Sequence, residues 1–301
     1  MKQILPVAAM AIATLTGCEN KAEMNAGIRP ENMDLTAQKG ADFYQYACGG
    51  WMKNNPLTDE YSRFGTFDQL AENNREQLKG LIAGIASAEH EQGSVAQKIG
   101  DLYNLAMDTD KLNKEGMAPI QPELDKINAI ADKAGIIQAM ADLTGSAYFQ
   151  FYVDADIMDS KKNIFQLYQG GIGLEEKEYY IDTDEATTNI REGYKQHIVK
   201  MFQLIGQDEK AATKSMEAVM EIETCLAKKA FSAVEQRNPA ANYHMFTMDE
   251  LKKEIPGFDW DAYLNALGLK GITSMNVSQV EPVKEAVAII NSLPLEKQKA
   301  Y

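Results

Sequence analysis

Helical periodicity dominates the chain from Asp42 onward. Apolar side chains recur every three or four residues in three stretches, a spacing typical of amphipathic helices. The first stretch follows a helix start at Thr66-Phe-Asp68. The three apolar stripes consist of Phe67, Leu70, Leu78, Leu81, Ile82 and Ile85; of Tyr194, Ile198, Met201, Phe202 and Ile205; and of Met216, Val219, Met220 and Leu226.

A short loop joins the second and third of these helices. Gly206 follows the second stripe, at the position where glycine commonly ends a helix. Asp208 can cap the next helix, because its side chain can accept a hydrogen bond from a free N–H of the first turn. The sequence therefore predicts two antiparallel neighbouring helices joined by a tight loop.

One segment departs from the helical period. Apolar and polar residues alternate over 149–157 and again over 164–168, and the polar stretch 159–162 suits a turn between them. A flexible Gly-Gly-Ile-Gly run follows at 170–173. The sequence thus predicts a mainly α fold, a multi-helix lobe with one small β-hairpin at about 149–168.

The N-terminus is organised as an export signal. Lys2 supplies a positive charge, and residues 4–15 form an apolar stretch too short for a bilayer span, which takes roughly 20 residues. The stretch ends in Leu-Thr-Gly-Cys18, which resembles the bacterial lipobox, whose cysteine is acylated after cleavage just before it. An ordinary secretory signal with a chance cysteine is the alternative.

This signal divides the chain into three parts. We expect residues 1–17 to be a lipoprotein signal peptide, residues 18–38 a lipidated tether and residues 39–301 the folded domain. No change of composition marks a boundary after the tether. The expected location is the bacterial cell envelope, with the protein anchored through lipid on Cys18 at the periplasmic or surface side of a membrane.

Composition narrows the classes of function. The chain has 301 residues, 45% of them hydrophobic, which suffices for one large core or two modest ones. A formal net charge of −14 argues against a nucleic-acid partner, which would need a basic face. The acidic residues are spread along the chain and indicate a solubilising surface. Besides Cys18, the cysteines are Cys48 and Cys225, and their separation leaves open whether they pair.

The histidines give no metal motif. His90 lies in the sequence HEQGS, without the second histidine that would complete a zinc site on one helix face, and His197 and His244 are isolated. The sequence contains no G-x-S-x-G elbow, P-loop or Rossmann glycine pattern. A Ser-His-Asp triad stays open, because its members assemble in space. Taken alone, the residues indicate no catalytic centre.

The candidate site is the segment SRFGTFD, residues 62–68. Arg63 is suited to bind a carboxylate through two parallel hydrogen bonds, and Gly65 allows the backbone to approach a ligand closely. Asp68 could hold the guanidinium in place or cap the following helix. The alternative is a structural Arg–Asp pair at a helix start.

Several ordered motifs resemble the N-terminal half of the neprilysin family of zinc metallopeptidases, which includes the endothelin-converting enzymes and oligopeptidase O. The resemblance runs from about residue 40 to the end of the chain. The motifs are YACGGW at 46–51 with NNP at 54–56, SRFGTFD at 62–68, Tyr103 with Met107-Asp108, LYQGGIGL at 167–174 with EYY at 178–180, Met216-Glu217 with Leu226-Ala227, VEQR at 234–237, and FDW at 258–260 with Tyr263-Leu264.

The resemblance implies roles for individual residues. It implies that Arg63 binds the free C-terminal carboxylate of a peptide substrate and that Asp68 supports this site. It implies a structural role for the segment Cys48, Gly49, Gly50 and Trp51, where helix backbone meets another element closely and the indole fills an apolar contact. In animal members the matching cysteine forms a disulfide with a cysteine near the C-terminus of the complete enzyme. By this resemblance, Cys48 would lack its partner here.

The main departure is the zinc centre. Family members bind zinc through H-E-x-x-H and a downstream glutamate, and neither motif occurs in this chain. The resemblance therefore implies the N-terminal, substrate-enclosing portion of a two-lobed zinc metalloendopeptidase acting on short peptides. Zinc would belong to the complete enzyme and its C-terminal catalytic domain, and this chain alone would be inactive. Apolar surface that faces the absent lobe would be exposed.

Two other hypotheses stay open at this point. One is a lipid-anchored module that binds peptides or a partner without hydrolysing them. The other is a pseudoenzyme remnant without a ligand. The DNA downstream of Tyr301 would discriminate, because an in-frame H-E-x-x-H coding region supports the peptidase.

Overall fold

The computed structural model describes residues 27–58, 61, 63–143 and 147–301. These residues form two compact units, divided between Asp108 and Thr109; we call them unit 1 and unit 2. The predicted signal peptide, Cys18 and the first part of the tether lie outside the described residues. Within the described residues, no helix has both the length and the apolar character needed to cross a bilayer.

Unit 1 is helical. A single 3₁₀ turn precedes three α-helices, and side chains cap two of them: Asp42 accepts from the N–H of Gln45, and Ser94 accepts from the N–H of Gln97. The second helix begins at Thr66, as predicted. The elements are the 3₁₀ turn Pro30–Asn32, α1 Phe43–Asn54, α2 Thr66–Ala86 and α3 Val95–Met107.

Unit 2 is also mainly helical, which confirms the predicted fold class. Eleven α-helices and two 3₁₀ turns are described in it. The α-helices are α4 Thr109–Glu115, α5 Gln121–Ala129, α6 Lys133–Asp142, α7 Glu178–Ile181, α8 Glu185–Leu204, α9 Glu209–Lys229, α10 Ala233–Gln236, α11 Met248–Glu254, α12 Trp260–Ala266, α13 Val280–Ser292 and α14 Leu295–Ala300; the 3₁₀ turns are Ala118–Ile120 and Pro239–Asn242.

The predicted helix pair corresponds to α8 and α9. Gly206 follows the end of α8 with φ of +96°, a conformation that glycine adopts without strain. The side chain of Asp208 accepts a hydrogen bond from the N–H of Ala211 and so caps α9. The two helices pack against each other. Both the tight connection and its capping residues are therefore confirmed.

The predicted hairpin is part of a larger sheet. It is formed by β1 (Phe149–Asp156) and β2 (Asp159–Gln169), which pair antiparallel. The turn predicted at 159–162 is wrong: these polar residues begin β2, and the chain turns at Ile157 and Met158. Two short strands that the sequence analysis did not predict complete the sheet, β3 (Met245–Thr247) and β4 (Ser274–Val277). The strand order is β1-β2-β4-β3, with β4 parallel to β2 and antiparallel to β3.

The apolar core belongs to unit 2. Phe149 and Leu167 of the hairpin pack with Trp260 and Tyr263 of α12, and all four side chains are almost fully buried. A smaller cluster joins α7, α8 and α9. In unit 1 the only described residues in the buried class are glycines, Gly49 and Gly100. The two units thus differ sharply in how much apolar surface they bury.

Candidate functional site

Three aromatic side chains of unit 1 hold the segment that carries the predicted carboxylate-binding arginine. The ring of Phe64 stacks on Trp51 of α1, with 6.1 Å between centroids and 12° between planes. Tyr61 meets the same Phe64 ring edge-on at 5.1 Å. Such contacts fix a segment that has no regular secondary structure. The aromatic cluster therefore positions the backbone on either side of Arg63, between α1 and α2.

The Arg63 side chain is exposed. Within the described part of the chain it forms neither an ion pair nor a hydrogen bond. Glu72, an acidic residue of α2, is engaged instead by the hydroxyl of Tyr61 and the guanidinium of Arg75. A guanidinium that has no carboxylate partner among the described residues remains able to bind an external carboxylate through two parallel N–H donors.

Asp68 caps the helix that follows Arg63. Its Oδ2 accepts a hydrogen bond of 2.7 Å from the N–H of Gly65, and its charge lies in the first turn of α2, where the helix dipole favours an anion. Among the described residues no ion pair joins Asp68 to Arg63. Of the two roles considered for Asp68, capping is the one that this structure contains.

The two adjacent glycines of α1 lie under another segment of unit 1. A Cβ atom on Gly50 would overlap the carbonyl oxygen of Glu31 and would lie 2.8 Å from that of Met33. The N–H of Asp34 donates to the carbonyl of Tyr46 at 2.9 Å, which holds this segment on the helix. Glycine is therefore needed here because two stretches of backbone approach within van der Waals contact.

The two cysteines of the described chain are free thiols. Cys48 on α1 and Cys225 on α9 are both half-buried and form no disulfide. The pairing that the sequence left open is thus absent from this structure.

A buried carboxylate organises the glycine-rich motif of unit 2. Glu223 on α9 is 4% exposed and accepts three hydrogen bonds. Its Oε1 accepts from the N–H of Gly173 at 3.1 Å and from the hydroxyl of Tyr194 at 3.0 Å. Its Oε2 accepts from the hydroxyl of Tyr180 at 2.8 Å, and that hydroxyl also accepts from the N–H of Leu174. One side chain thereby links the 167–174 motif to α7, α8 and α9.

Burial raises the pKa of Glu223, and the three hydrogen bonds it accepts oppose that rise. Sequence analysis missed this residue, although a signal was present. Glu223 lies four residues after Val219 and three after Met220, so it falls within the apolar stripe of α9. A charged residue on an apolar helix face indicates a buried polar contact.

Tyr301 supports the same motif from a second side. Its hydroxyl donates to the carbonyl of Gly171 at 2.6 Å and accepts from the N–H of Tyr148 at 3.0 Å. Tyr148 is buried and has φ of +67°, a conformation that costs a residue other than glycine of order 1 kcal/mol or more. Its own hydroxyl bonds to Gln298. The start of β1, the glycine-rich motif and α14 are therefore joined.

A cavity of about 700 Å³ lies beside Tyr148 and Tyr301 in unit 2. Helices α5, α6 and α14 and the end of α8 supply most of its walls, which combine apolar and polar residues. Ile136, Met140 and Phe202 are among the apolar residues, and Gln207 and Lys299 among the polar ones. A cavity of this size and lining suits a small organic group or an apolar side chain.

The described residues do not fit a zinc site. They contain no group of three or more histidine, cysteine, aspartate or glutamate side chains placed to hold a metal ion. The ring of His90 bonds to the carbonyl of Ile85 at 2.8 Å, and that of His244 to the carbonyl of Val277 at 3.1 Å. His197 is exposed on α8. Each histidine therefore stands apart from the others.

A family model described as peptidase family M13 matches residues 40–301. The chain is also similar to endothelin-converting enzyme 1 of Rattus norvegicus, with 28% identity over 264 residues, which are 84% of this chain and 33% of that enzyme.

Solved structures give the same result. The zinc metalloprotease Zmp1 of Mycobacterium tuberculosis, in complex with an inhibitor, matches with a TM-score of 0.82 and 28% identity over 91% of this chain and 42% of that one. PepO from Lactobacillus rhamnosis has a TM-score of 0.65 at 15% identity, over 90% and 41% of the two chains, and shares the fold. This chain therefore spans about a third to two fifths of the length of these relatives.

Proposed function

The chain belongs to peptidase family M13, in which it corresponds to the N-terminal portion, and from this we propose that it encloses the substrate in a zinc metalloendopeptidase that hydrolyses short peptides. The observation that carries the proposal is the match of residues 40–301 to the family, together with the fold shared with Zmp1.

The zinc chemistry belongs, in this proposal, to polypeptide outside the present chain. Enzymes of the family are zinc-dependent, but the described residues provide no ligand set for the ion. The relatives are more than twice as long as the part this chain matches. We therefore expect purified chain with added zinc to leave a bulky-hydrophobic reporter peptide uncleaved.

The proposed contribution of unit 1 is to bind one end of the substrate. Arg63 is exposed, has no carboxylate partner among the described residues and lies between two segments fixed by the aromatic cluster of Trp51, Phe64 and Tyr61. These properties suit a guanidinium that binds a free peptide C-terminus. Asp68 supports Arg63 indirectly, because Asp68 caps α2, the helix that follows the segment carrying Arg63.

Unit 1 carries an exposed apolar surface that suits contact with another part of the same peptidase. Large apolar side chains on α2 and α3 are open to solvent, with Phe67 88% and Leu102 69% exposed. Exposed apolar patches of this kind mark interaction surfaces. We propose that the catalytic domain of the complete enzyme covers them.

The proposed location is the cell envelope, with the enzyme anchored through lipid on Cys18. The support is the lipobox-like sequence that ends at this cysteine. Labelling cells with a radioactive fatty acid tests it: Cys18→Ser should abolish incorporation into this protein.

The substrate role is tested by replacing Arg63 in the complete enzyme. Arg63→Ala should weaken binding of free-acid peptides about tenfold to a hundredfold, because a charge-assisted bidentate contact is lost. Amidated peptides should bind as before. Arg29→Ala, which removes an exposed arginine outside the residues matched to the family, serves as the charge-matched control. Equal loss for free-acid and amidated peptides contradicts the assignment.

A binding module without hydrolytic activity remains the second candidate. It is favoured by one observation, the lack of any metal-ligand group among the described residues. A genuine stop after Tyr301, together with stable expression and peptide binding without cleavage, would select it over the peptidase.

A further inference from the structure

The outer edge of the sheet is open at two residues of β1. Strand β1 is terminal in the order β1-β2-β4-β3, so in the described chain it has a paired strand on one side only. An edge strand offers its unpaired backbone N–H and C=O groups to another extended chain. Which groups these are follows from the pairing of β2.

Hydrogen bonds between β2 and β4 fix the direction of each backbone group. The N–H of Ser278 donates to the carbonyl of Leu167 at 2.7 Å, so the backbone groups of Leu167 face β4. Successive residues of a strand direct these groups to opposite edges, and Gln166 therefore faces β1. Its partner is Tyr152. The backbone groups of the neighbours Phe151 and Val153 consequently point away from β2, to the free edge.

The two ends of this edge are closed. The N–H of Phe149 donates to the carbonyl of Ala147 at 2.8 Å, and the N–H of Ala155 donates to Oδ1 of Asp154 at 2.7 Å. Between them, within the described residues, no hydrogen bond is made by the backbone of Phe151 or Val153 other than through strand pairing. The open part is therefore two alternate residues long.

The usual protection of an edge strand is missing in the open part. Protein sheets guard such edges with lysine, proline or a bulge. From Phe149 to Val153 the strand carries none of these, and its bulge lies only beyond, at Ala155 and Asp156. Tyr152 and Val153 are 45% and 56% exposed. An incoming chain can therefore reach Val153 directly, while Phe151 is half-buried.

We propose that the open edge at Phe151 and Val153 binds an extended peptide by strand addition. The choice of a peptide rests on the peptidase function proposed above. Strand addition needs only a few main-chain hydrogen bonds from one extended segment. The net charge of −14 favours a neutral or basic peptide over an acidic one.

A second copy of the chain fits this edge less well. A stable interface between proteins buries about 1,000 Å² or more, which two open residues do not supply. Two chains of charge −14 also repel each other. The two open residues of β1 suit a short peptide segment instead.

Amide hydrogen exchange by NMR tests the proposal on the 301-residue chain. The probe is a short peptide of alternating threonine and valine with a lysine at each end; the control peptide has proline in place of each valine and cannot pair. The probe should slow exchange at Phe151 and Val153 and leave Gln150 and Tyr152 unchanged, because those two already bond to β2. Equal slowing at all four residues, or none, overturns the proposal.

A variant pair isolates the backbone contribution. Val153→Pro removes an N–H at an edge where proline is tolerated, and should weaken probe binding about fivefold, as expected for one lost hydrogen bond. Val153→Thr keeps the N–H and the branched shape, and should bind normally. Loss of binding in both variants, or in neither, contradicts strand addition. Circular dichroism establishes that the sheet persists.

The remaining outcomes separate this proposal from the peptidase function. Concentration-dependent dimerisation that protects Phe151 and Val153 would show self-pairing and overturn it. Protection of these amides in the complete enzyme without peptide would show that its own chain covers the edge, and would also overturn it. Cleavage by the complete enzyme is a separate readout: failure to cleave removes the peptidase function, while probe-dependent protection still supports the binding edge.

Discussion

Units 1 and 2 are built from similar amphipathic helices but use their apolar faces differently. In unit 2 helices pack on a sheet and bury Trp260 and Tyr263 of α12 with Phe149 of β1. In unit 1 the stripe of α2 is exposed, with Phe67, Leu70, Leu78 and Leu81 open to solvent. The comparison teaches that a helical stripe predicts a helix and an apolar face, whereas the partner of that face depends on the rest of the polypeptide.

The largest expected effect is a contrast between a core position of unit 2 and an exposed apolar position of unit 1. Trp260→Ala should lower the free energy of unfolding of unit 2 by about 3 to 5 kcal/mol, because a fully buried aromatic ring is removed. Leu102→Ala on the exposed face of α3 should change the free energy of unfolding of unit 1 by less than about 0.5 kcal/mol. Urea unfolding followed by far-UV circular dichroism measures both. Similar losses for the two variants would mean that unit 1 has a core of its own.

The next effect concerns Glu223 in unit 2. Glu223→Ala leaves Tyr180, Tyr194 and the N–H of Gly173 without their acceptor, and should destabilise unit 2 by about 1 to 3 kcal/mol. Chemical denaturation measures the change. Exposed Glu192 on α8 provides the control, since Glu192→Ala should have little effect. A small loss at Glu223 would indicate that water replaces the carboxylate.

The pH dependence of the same group sharpens the result. The folded-state pKa of Glu223 is raised above its ordinary value of 4.5, chiefly by burial. Its contribution to stability is therefore fully present below pH 4.5 and is lost as the pH rises through the folded-state pKa. Glu223→Gln should remove this decline, because its amide stays neutral. An unchanged pH profile in Glu223→Gln would assign the decline to other groups.

A smaller effect tests the close approach in unit 1. Gly50→Ala should displace the 3₁₀ turn Pro30–Asn32 from α1 and cost about 1 to 3 kcal/mol, because the new methyl group overlaps backbone. Gly80→Ala on α2 is the matched control: no atom lies within 4 Å of the added Cβ, and helix propensity should stabilise by about 0.5 to 1 kcal/mol. Thermal unfolding measures both. Stabilisation by Gly50→Ala would remove the packing explanation for this glycine.

Local patterns predicted much of the fold, because they act over a few residues. The start of α2 at Thr66, the Gly206 and Asp208 loop and the 149–168 hairpin all follow from nearby sequence, and the structure contains them. Strands β3 and β4 were not predicted. They are three and four residues long, and β4 pairs with β2 across more than a hundred residues, so their sequences carry little periodicity.

The sequence likewise predicted some features of the candidate site and not others. Arg63 and Asp68 were identified from residue types and from the family resemblance, and the cap made by Asp68 was one of two roles considered. The anchoring of Phe64 by Trp51 and Tyr61 was not predicted, because it joins residues through tertiary packing. The division of the chain after Asp108 also has no compositional signal.

Our central proposal is that this chain is one portion of a larger peptidase whose remaining part covers the apolar faces of unit 1. Amide hydrogen exchange of the 301-residue chain and of the complete enzyme tests it most directly. We predict that α2 and α3 exchange quickly in the chain alone and slowly in the complete enzyme, whereas the core strands β2 and β4 exchange slowly in both. Equal exchange of α2 and α3 in the two proteins would contradict the account.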